Sequence, residues 1–491
     1  MARAARDRPL LDYYSSTGPY RIGYIKNQVI PILKTLDYKL LNRTIAIVGM
    51  GATGLSVARF LSSMCISFQI IDSRETPPNF DLILKEFPDA SLFLGEFSME
   101  VFKKFNLVIL SPGVSLNQPV LCDLKSHGVE VIGDLELFLS AAKAPIVAIT
   151  GSNGKSTVTT MVGMMAQSSG LDVAVGGNLG TPMLDLLSDD LDLYVLELSS
   201  FQLELIEDMK GAIVCLLNVS ADHMDRYDNL KEYAAAKHRI FNGASVAIFN
   251  REDHQTTPSA AVGVKSFNFA LDTSDKDQFG INFSDQGKFL SFDANPLVEI
   301  SSIATQGKHN HMNALAALAI GSVIGIKPEF IISTLKSFKG LPHRCETVTT
   351  LNDVLFINDS KGTNVGATLA AIEGFGTLGR KNLLLLAGGQ AKGQNFDQLK
   401  QAVEKFVKCG VFFGQDADQI ENVLGSKTKV YRADSVASAV SIAKREATAG
   451  DIVLFSPACA SFDSFSGFEE RGRSYQKAVF SDGSLGAYCA S

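Results

Sequence analysis

A glycine-bracketed lysine stands between an apolar, β-rich run and the start of a predicted helix. The stretch reads Thr150-Gly151-Ser152-Asn153-Gly154-Lys155-Ser156-Thr157. Glycines let backbone N–H groups approach anionic oxygens, the lysine supplies a positive charge for the β- and γ-phosphates, and Ser156 can reach Mg²⁺. The usual phosphate loop has a glycine where this chain has Ile149, so the loop is shortened. The residue types and their order predict a nucleoside triphosphate site rather than a glycine-rich surface turn.

Acidic side chains follow two apolar runs further along the chain. Glu197 ends the apolar run in YVLELSS. A carboxylate at this position can bind Mg²⁺ directly or through water, and the alternative is that Glu197 only caps a helix. Asp222, His223 and Asp225 follow the run GAIVCLLN, and a solvated acidic turn is the alternative there. Because open α/β sheets bind ligands at the carboxyl ends of their strands, we expect Glu197 and His223 to lie near the phosphate loop.

A second glycine signature lies upstream, after the apolar run IAIV. It reads Gly49-Met50-Gly51-Ala52-Thr53-Gly54. Asp72 ends the next apolar run, and the dinucleotide fingerprint has an acid about twenty residues after its glycines. Taken by itself, the signature indicates NAD binding and a redox enzyme or regulator. A lone glycine pattern of this kind is weak evidence, and the rest of the chain has no recognisable hydride-transfer site.

The elements around these motifs predict an α/β protein of three domains. Of the 491 residues, 46% are hydrophobic and 20% are charged, as is typical of a globular enzyme. The apolar runs predict a Rossmann-like N-terminal domain, a central P-loop ATPase-type domain with a mostly parallel sheet, and a Rossmann-like C-terminal domain. A small antiparallel excursion is predicted within 252–300. The expected limits are an N-terminal extension at 1–40 and domains at 41–140, 141–339 and 340–491.

Charge, cysteine count and hydropathy restrict the partners and the location. A net charge of -7 argues against a nucleic-acid binder. Seven cysteines without a CxxC pair fit reduced thiols better than a disulfide framework or a zinc site. No apolar run reaches the ~18–20 residues that a membrane span needs, and residues 1–40 lack the apolar core of a secretory signal. We therefore expect a cytoplasmic protein without membrane insertion.

Several stretches together resemble those of the muramyl ligase family, which builds the peptide of bacterial cell walls. They are TGSNGKST, ELSSFQLE, NVSADHMDRY, AAAKHRIF, GKHNHMNALAA, GLPHR, NDSKGTNVGAT and SPACASFDSFSGFEERG. The similarity runs from Ile45 to the C-terminus, and the third-domain stretches closely resemble members that add D-glutamate. The resemblance implies ATP-driven amide ligation. The carboxylate of UDP-N-acetylmuramoyl-L-alanine would take the γ-phosphoryl group, and the amine of D-glutamate would attack the acyl phosphate.

The resemblance also implies a role for each motif residue. Catalysis is assigned to Lys155, Glu197, His223 and Lys237. Coordination of Mg²⁺ is assigned to Ser156, Glu197, His223 and Lys237, the last carbamylated by CO₂. ATP binding is assigned to Gly151, Ser152, Asn153, Gly154, Lys155, Ser156, Thr157, Asn310, Asn313, Arg344 and Asp359. The UDP-substrate is assigned to Gly51, Ala52, Thr53, Asp72, Ser73, Arg74, Ser111, Gly113, Asn178 and His223, and D-glutamate to Thr363, Lys392, Ser461, Phe462 and Phe468.

Simpler interpretations compete with several of these assignments. Without the family resemblance, Lys237 would be interpreted as an exposed helix lysine. Asn310 and Asn313 would be interpreted as polar helix caps, and Phe462 and Phe468 as core aromatics. Gln390 stands where many relatives carry an acidic residue, which weakens the match beside Lys392. Two other functions stay open: a related ligase that adds another amino acid or acts on folate or a polyamide, and a dinucleotide-binding regulator or dehydrogenase. We expect a monomer that uses ATP and Mg²⁺.

Overall fold

The computed structural model describes residues 40–259, 263–285, 287–305 and 307–481. The predicted N-terminal extension lies outside these residues except for Leu40. The described chain is mixed α/β and contains three sheets, which confirms the predicted fold class. It divides into two compact units. The first consists of the described parts of Met1–Asn218, Ala234–Ile303 and Met312–Ser337, and the second of those of Val219–Tyr233, Ala304–His311 and Phe338–Ser491.

Five parallel strands form the first sheet, in the order β3-β2-β1-β4-β5. The strands are β1 Ile45–Val48, β2 Phe68–Asp72, β3 Leu92–Leu94, β4 Leu107–Leu110 and β5 Glu130–Gly133. The helices are α1 Ala52–Ser63, α2 Phe80–Glu86, α3 Met99–Phe102, α4 Pro119–Cys122 and α5 Asp134–Ala141. The strand order reverses between β1 and β4, so the glycine loop after β1 opens into the crevice where such sheets bind ligands.

Nine strands form the central sheet, in the order β14-β13-β12-β11-β10-β9-β6-β8-β7. They are β6 Ile146–Thr150, β7 Val173–Gly177, β8 Leu193–Glu197, β9 Ile213–Leu216, β10 Val246–Asn250, β11 Lys265–Phe269, β12 Gln278–Ser284, β13 Gly287–Phe292 and β14 Asn295–Glu299. The helices are α6 Lys155–Ser168, α7 Ser200–Leu203, α8 Leu230–His238, α9 Lys308–Val323 and α10 Pro328–Ser337. The predicted antiparallel excursion is confirmed for β12 to β14, whereas β11 pairs in parallel with β10.

Six strands form the third sheet, in the order β15-β16-β20-β17-β18-β19. They are β15 Glu346–Leu351, β16 Val354–Asn358, β17 Leu383–Gly388, β18 Val407–Phe413, β19 Lys429–Arg432 and β20 Ile452–Phe455. The helices are α11 Val365–Phe375, α12 Lys400–Phe406, α13 Ala417–Leu424, α14 Val436–Glu446 and α15 Phe468–Phe480. Strand β15 is antiparallel to β16, and the other pairs are parallel. The neighbouring strands β16, β20 and β17 therefore end at one edge, where their following loops meet.

Short 3₁₀ helices occur at Lys125–His127, Met183–Leu186, Arg239–Phe241, His254–Thr256, Ile300–Ser302 and Phe396–Leu399. Among the residues that the structure describes, no helix combines the length and the apolar character needed to cross a bilayer. Apolar clusters cover both faces of the third sheet, and strands such as β17 are buried along their whole length. The functional side chains therefore project from strand ends and loops rather than from the strands' middles.

Candidate active site

The phosphate loop joins β6 to α6 and is held by asparagines. The Ser152 N–H donates to the Asn218 carbonyl at 2.9 Å, and the Asn153 N–H donates to Asn218 Oδ1 at 2.8 Å. Gly154 has a φ of +82°, and a Cβ there would lie 2.4 Å from Asn313 Oδ1. A side chain at this left-handed position would be strained and would have to displace the Asn313 side chain, which explains the glycine at 154. The structure thus brings Asn313 against the loop, while its contact with a nucleotide stays a prediction.

Two lysine amines converge on this loop. Lys155 Nζ donates to the carbonyl oxygens of Gly151 and Ser152 at 2.8 and 2.9 Å. Lys237 Nζ donates to the same Gly151 oxygen at 2.9 Å, and only 1% of Lys237 is exposed. The interpretation of Lys237 as an exposed helix lysine is therefore wrong. Two ammonium groups held at one oxygen repel each other, so the arrangement favours an anion beside them.

The carboxylate of Glu197 lies beside the loop, as predicted. Glu197 is the last residue of β8, which neighbours β6, and only 3% of it is exposed. Its Oε2 accepts the Ser156 hydroxyl at 2.5 Å, and its Oε1 accepts Asn178 Nδ2 at 2.7 Å. The alternative of a plain helix cap is not what the structure shows, since the next helix is capped by the Ser199 side chain.

A hydroxyl and a carboxylate match the oxygen ligands that Mg²⁺ takes from proteins. Such a site usually combines one or two carboxylates with substrate phosphates and water. Within the described ranges, no group of three or more His, Cys, Asp or Glu side chains could hold a metal ion. Ser156 and Glu197 therefore fit Mg²⁺ only if phosphate oxygens, water or a modified side chain complete the coordination.

Other residues predicted for the same site lie in the second unit, among them His223 and Asn310. His223 has a φ of +57°, and its N–H donates to Asp222 Oδ1 at 3.0 Å. The other oxygen of Asp222 accepts Asn364 Nδ2 at 3.0 Å. Asn310 lies at the start of α9. The metal role of His223 and the ATP role of Asn310 stay predictions.

A cleft of about 560 Å³ opens at the carboxyl edge of the first sheet. Among its lining residues are all those predicted for the UDP-substrate except His223: Gly51, Ala52, Thr53, Asp72, Ser73, Arg74, Ser111, Gly113 and Asn178. Gly49, the first residue of the glycine signature, also lines the cleft. Sequence reasoning missed further lining residues, among them Phe97, Val114, Gln118, Gly177, Gly180, Pro182 and Gln202. For Gln202 a signal existed, because it lies inside the stretch ELSSFQLE.

Asp72, the last residue of β2, binds the backbone of the first glycine loop. Its Oδ2 accepts the Met50 N–H at 2.8 Å, and the Arg74 guanidinium donates to both carboxylate oxygens at 2.8 and 2.7 Å. Burial by itself would raise the pKa of Asp72, but the hydrogen bonds from Arg74 and Met50 outweigh it and hold the pKa below its ordinary value. The carboxylate therefore stays charged at neutral pH.

Asp359 and Arg344, both predicted for ATP, lie close together in the second unit. Asp359 Oδ1 accepts the Cys345 N–H at 3.1 Å, and Oδ2 accepts the Ser456 hydroxyl at 2.7 Å. Burial raises the pKa of Asp359 to about 6, although these hydrogen bonds and the positive charge of Arg344 act in the opposite direction. An acid at the end of a buried strand is suited to ribose hydroxyls, and this role stays a prediction.

The residues predicted for D-glutamate lie on the loops after β16, β17 and β20 and at the start of α15. They are Thr363, Lys392, Ser461, Phe462 and Phe468. Lys392 Nζ lies 5.2 Å from the centre of the Phe462 ring, and Lys361 Nζ lies 4.0 Å from that of Phe468. Phe462 is 64% exposed, so it is not a core aromatic. A dicarboxylate requires positive charge of this kind, and the role of these residues in binding D-glutamate stays a prediction.

Three family models match this chain. The Mur ligase MurD-like N-terminal domain matches residues 43–133, the Mur ligase middle domain 149–321, and the Mur ligase glutamate ligase domain 343–459. Proteins named UDP-N-acetylmuramoylalanine--D-glutamate ligase from Pseudomonas syringae pv. tomato and Pseudomonas aeruginosa are 45% and 46% identical to it over 433 residues. Each alignment covers 88% of this chain and 97% of the relative. The chain belongs to the Mur ligase family.

A further relative supports the same assignment, and two solved structures are similar in fold. A UDP-N-acetylmuramoylalanine--D-glutamate ligase from Legionella pneumophila is 44% identical over 437 residues, covering 88% of this chain and 98% of its own. The solved UDP-N-acetylmuramate-alanine ligase from Thermotoga maritima is 17% identical, with a TM-score of 0.54 and coverage of 88% and 98%. A pseudomurein peptide ligase type C from Methanothermus fervidus is 20% identical, with a TM-score of 0.53 and coverage of 84% and 96%. At such identities the two structures bear on the fold alone.

Proposed function

We propose that this Mur ligase uses ATP to join D-glutamate to UDP-N-acetylmuramoyl-L-alanine in the synthesis of peptidoglycan precursors. One observation carries the proposal: three relatives named for this reaction are 44% to 46% identical over 88% of the chain. The reaction runs in two steps. The substrate carboxylate attacks the γ-phosphorus of ATP and ADP leaves, and the amine of D-glutamate then attacks the acyl carbon and phosphate leaves. We place it in the cytoplasm, where ATP is available.

The phosphate loop would bind the triphosphate and offset its charge. Lys155 follows the loop directly, and the N-terminus of α6 adds a positive partial charge toward bound phosphate. No protein nucleophile is needed, because the substrate's own carboxylate attacks. Holding two reactants in register supplies about 7–11 kcal/mol of the barrier in favourable cases. The chain's residues therefore act by orienting the reactants and by balancing charge.

We propose that Ser156 and Glu197 hold Mg²⁺, together with His223 and a carbamate on Lys237. When bound, the ion neutralises charge on the phosphates and the reacting carboxylate. Two observations support Ser156, Glu197 and Lys237 as ligands, whereas His223 is proposed from the family resemblance alone. Ser156 Oγ lies 2.5 Å from Glu197 Oε2. The Nζ atoms of Lys155 and Lys237 both donate to the Gly151 carbonyl oxygen. Carbamylation would reverse the charge of Lys237 and relieve its repulsion with Lys155.

The other two substrates would bind at the remaining sites. The UDP part would occupy the 560 Å³ cleft beside Asp72 and Asn178, with its glycine loop near the pyrophosphate. D-glutamate would meet Lys392 and Ser461 at the carboxyl edge of the third sheet. We keep 41–140, 141–339 and 340–491 as the proposed domain limits, and we propose that the chain acts as a monomer.

The test follows phosphate release by the purified chain with ATP and UDP-N-acetylmuramoyl-L-alanine. Separate reactions receive D-glutamate, L-lysine, diaminopimelate or no amino acid. We expect phosphate release with D-glutamate alone among these. Equal or faster release with L-lysine or diaminopimelate would favour a related ligase that adds another amino acid, and release that ignores all amino acids would contradict both. The Lys155→Ala variant controls for contaminating phosphatases.

A further inference from the structure

Arg471 in α15 is the largest fully buried side chain among the described residues, with 1% of it exposed. Its guanidinium donates five hydrogen bonds, all to neutral oxygens. They run from Nε to Ser360 Oγ at 3.1 Å, from Nη2 to Ser360 O at 2.8 Å, and from Nη1 to Gly388 O at 3.3 Å, Cys459 O at 3.0 Å and Ala460 O at 3.2 Å. Because burying a cation costs free energy even when its donors are satisfied, this arrangement calls for an explanation.

The oxygens bound by Arg471 belong to three different loops. Ser360 follows β16, Gly388 ends β17, and the pair Cys459 and Ala460 follows β20. Guanidinium carries its donors in one rigid plane, so a single side chain fixes the three loops relative to each other. The same three loops continue directly into the residues proposed for D-glutamate.

Further contacts close the loops around the guanidinium. The Ser360 hydroxyl donates to the Phe468 carbonyl at 2.8 Å, which ties the first loop to the start of α15. Gln390 and Ala460 exchange backbone hydrogen bonds of 3.0 and 2.9 Å. Gly389 has a φ of +129°, and a Cβ there would lie 2.2 Å from Ala460 O and 3.1 Å from Arg471 Nη1. The packing leaves no room for a side chain at this point.

We propose that Arg471 is a positioning residue for the amino-acid substrate. Its guanidinium holds the three loops so that Thr363, Lys392 and Ser461 present their donors to one dicarboxylate. The inference rests on the proposed function. Burial lowers the pKa of Arg471 to about 10, so the side chain remains charged at neutral pH. Its positive charge lies beneath the loops and adds to the attraction for an anionic substrate.

The first test is Arg471→Lys, which keeps the charge but replaces the planar fork with a single ammonium group. We expect KM for D-glutamate to rise about tenfold or more, because small displacements of binding groups are costly. KM for the UDP-substrate should change by less than about twofold, since none of these loops holds it in the proposal. KM for ATP should rise less than KM for D-glutamate, because Asp359 on the first loop is held by Cys345 and Ser456 and not by Arg471. Arg473→Lys is the matched control, because Arg473 is exposed on the same helix and should leave all three KM values unchanged.

Two further variants separate positioning from folding. In Arg471→Ala, millimolar methylguanidinium should restore part of the affinity for D-glutamate, whereas methylammonium should not. Ser360→Ala removes the Oγ acceptor but leaves the buried cation and its other acceptors in place. We expect this variant to raise KM for D-glutamate about threefold, near the value of one hydrogen bond. Circular dichroism checks that each variant is folded. If the Arg471 variants do not fold, KM for D-glutamate in Ser360→Ala decides whether the positioning role holds.

The outcomes distinguish this inference from the proposed function. Wild-type phosphate release that does not depend on D-glutamate would overturn the proposed function. D-glutamate-dependent wild-type release, with an unchanged KM for D-glutamate in every folded variant, would overturn the positioning role alone. An equal rise in all three KM values would also overturn it, because such a rise indicates a general structural role. A selective rise for D-glutamate, with rescue by methylguanidinium, supports the inference.

Discussion

Two glycine-rich loops follow inner strands of the first two sheets, β1 and β6, and differ in the charges around them. The loop after β6 is approached by Lys155 and Lys237, with the carboxylate of Glu197 beside it. At the loop after β1, the carboxylate of Asp72 is already bound by Met50 and Arg74. In the proposed function, the charges around a glycine loop, more than its glycine pattern, distinguish a site for phosphoryl transfer from a site that only holds a nucleotide.

The largest expected effect is at the lysine of the second loop. Lys155→Ala should lower kcat by about a thousandfold, the scale seen when a preorganised charge is removed from a reacting centre. Steady-state kinetics with all three substrates measures this. Lys143→Ala is the control, since Lys143 is exposed and pairs with Asp189. Retention of more than about a tenth of the activity in Lys155→Ala would mean that this loop is not where phosphoryl transfer occurs.

Lys237→Ala should lower activity by about a hundredfold, because the proposed metal ligand is removed. Added formate or acetate should return part of the activity by standing in for the carbamate. Lys231→Ala, an exposed position on the same helix, should behave like wild type. Full activity in Lys237→Ala without any carboxylate would refute the proposed role.

At the first loop, Asp72→Asn should raise KM for the UDP-substrate about tenfold, the cost of one hydrogen-bonded charge. KM for ATP should stay constant, because Asp72 lines the first cleft and not the phosphate loop. Initial rates at varied concentrations of each substrate measure both constants. If KM for ATP rose instead, the two loops would not serve separate ligands.

The smallest effect concerns the pH dependence of stability at the edge of the first sheet. Asp134 is 2% exposed at the start of α5, and burial raises the pKa of Asp134 to about 6. Because this pKa lies above the ordinary value, the native state binds the proton more tightly than the unfolded state does. The native state therefore loses stability as the pH rises through 6 and Asp134 ionises. Wild type should therefore gain about 1 kcal/mol of stability over Asp134→Asn between pH 7 and 5. Urea unfolding measures the difference.

Asp72, at the end of β2, has a lowered pKa, whereas the pKa of Asp134 is raised. The pKa of Asp72 is lowered, so the stability from its ion pair is present at neutral pH and is lost as the pH falls through that lowered value. Between pH 7 and 5, Asp72→Asn should follow the pH profile of wild type. A pH profile of Asp134→Asn that also matched wild type in this range would contradict the assignment of the raised pKa to Asp134.

The sequence predicted the sheets and the residues at strand ends because both have local patterns. Apolar runs form the strands, and the glycines, lysines and acids that follow them lie at one edge, as Lys155 and Glu197 do. The pattern at Gly49 to Gly54 could not distinguish NAD from a UDP ligand, because the backbone geometry is the same and the charges come from residues distant in sequence. The prediction of a UDP ligand at this loop came from the family resemblance.

Other site residues could not be predicted because their neighbours come from tertiary packing. Phe97 lines the first cleft, but in sequence it is an ordinary aromatic near a short helix. Arg471 stands in the charged stretch FEERGR, where Glu469, Glu470 and Arg473 are exposed and Arg471 alone among these is buried. A helix with charges around it does not reveal from sequence which charge faces the sheet.

The proposed function depends on phosphoryl transfer from ATP to the substrate's own carboxylate. It is tested most directly with UDP-N-acetylmuramoyl-L-alanine labelled with ¹⁸O in the alanine carboxylate. Phosphate released during a D-glutamate-dependent reaction is analysed by mass spectrometry. We expect one labelled oxygen to pass from the carboxylate into the phosphate, because the acyl carbon–oxygen bond breaks when D-glutamate attacks. Phosphate that contains no ¹⁸O would contradict it.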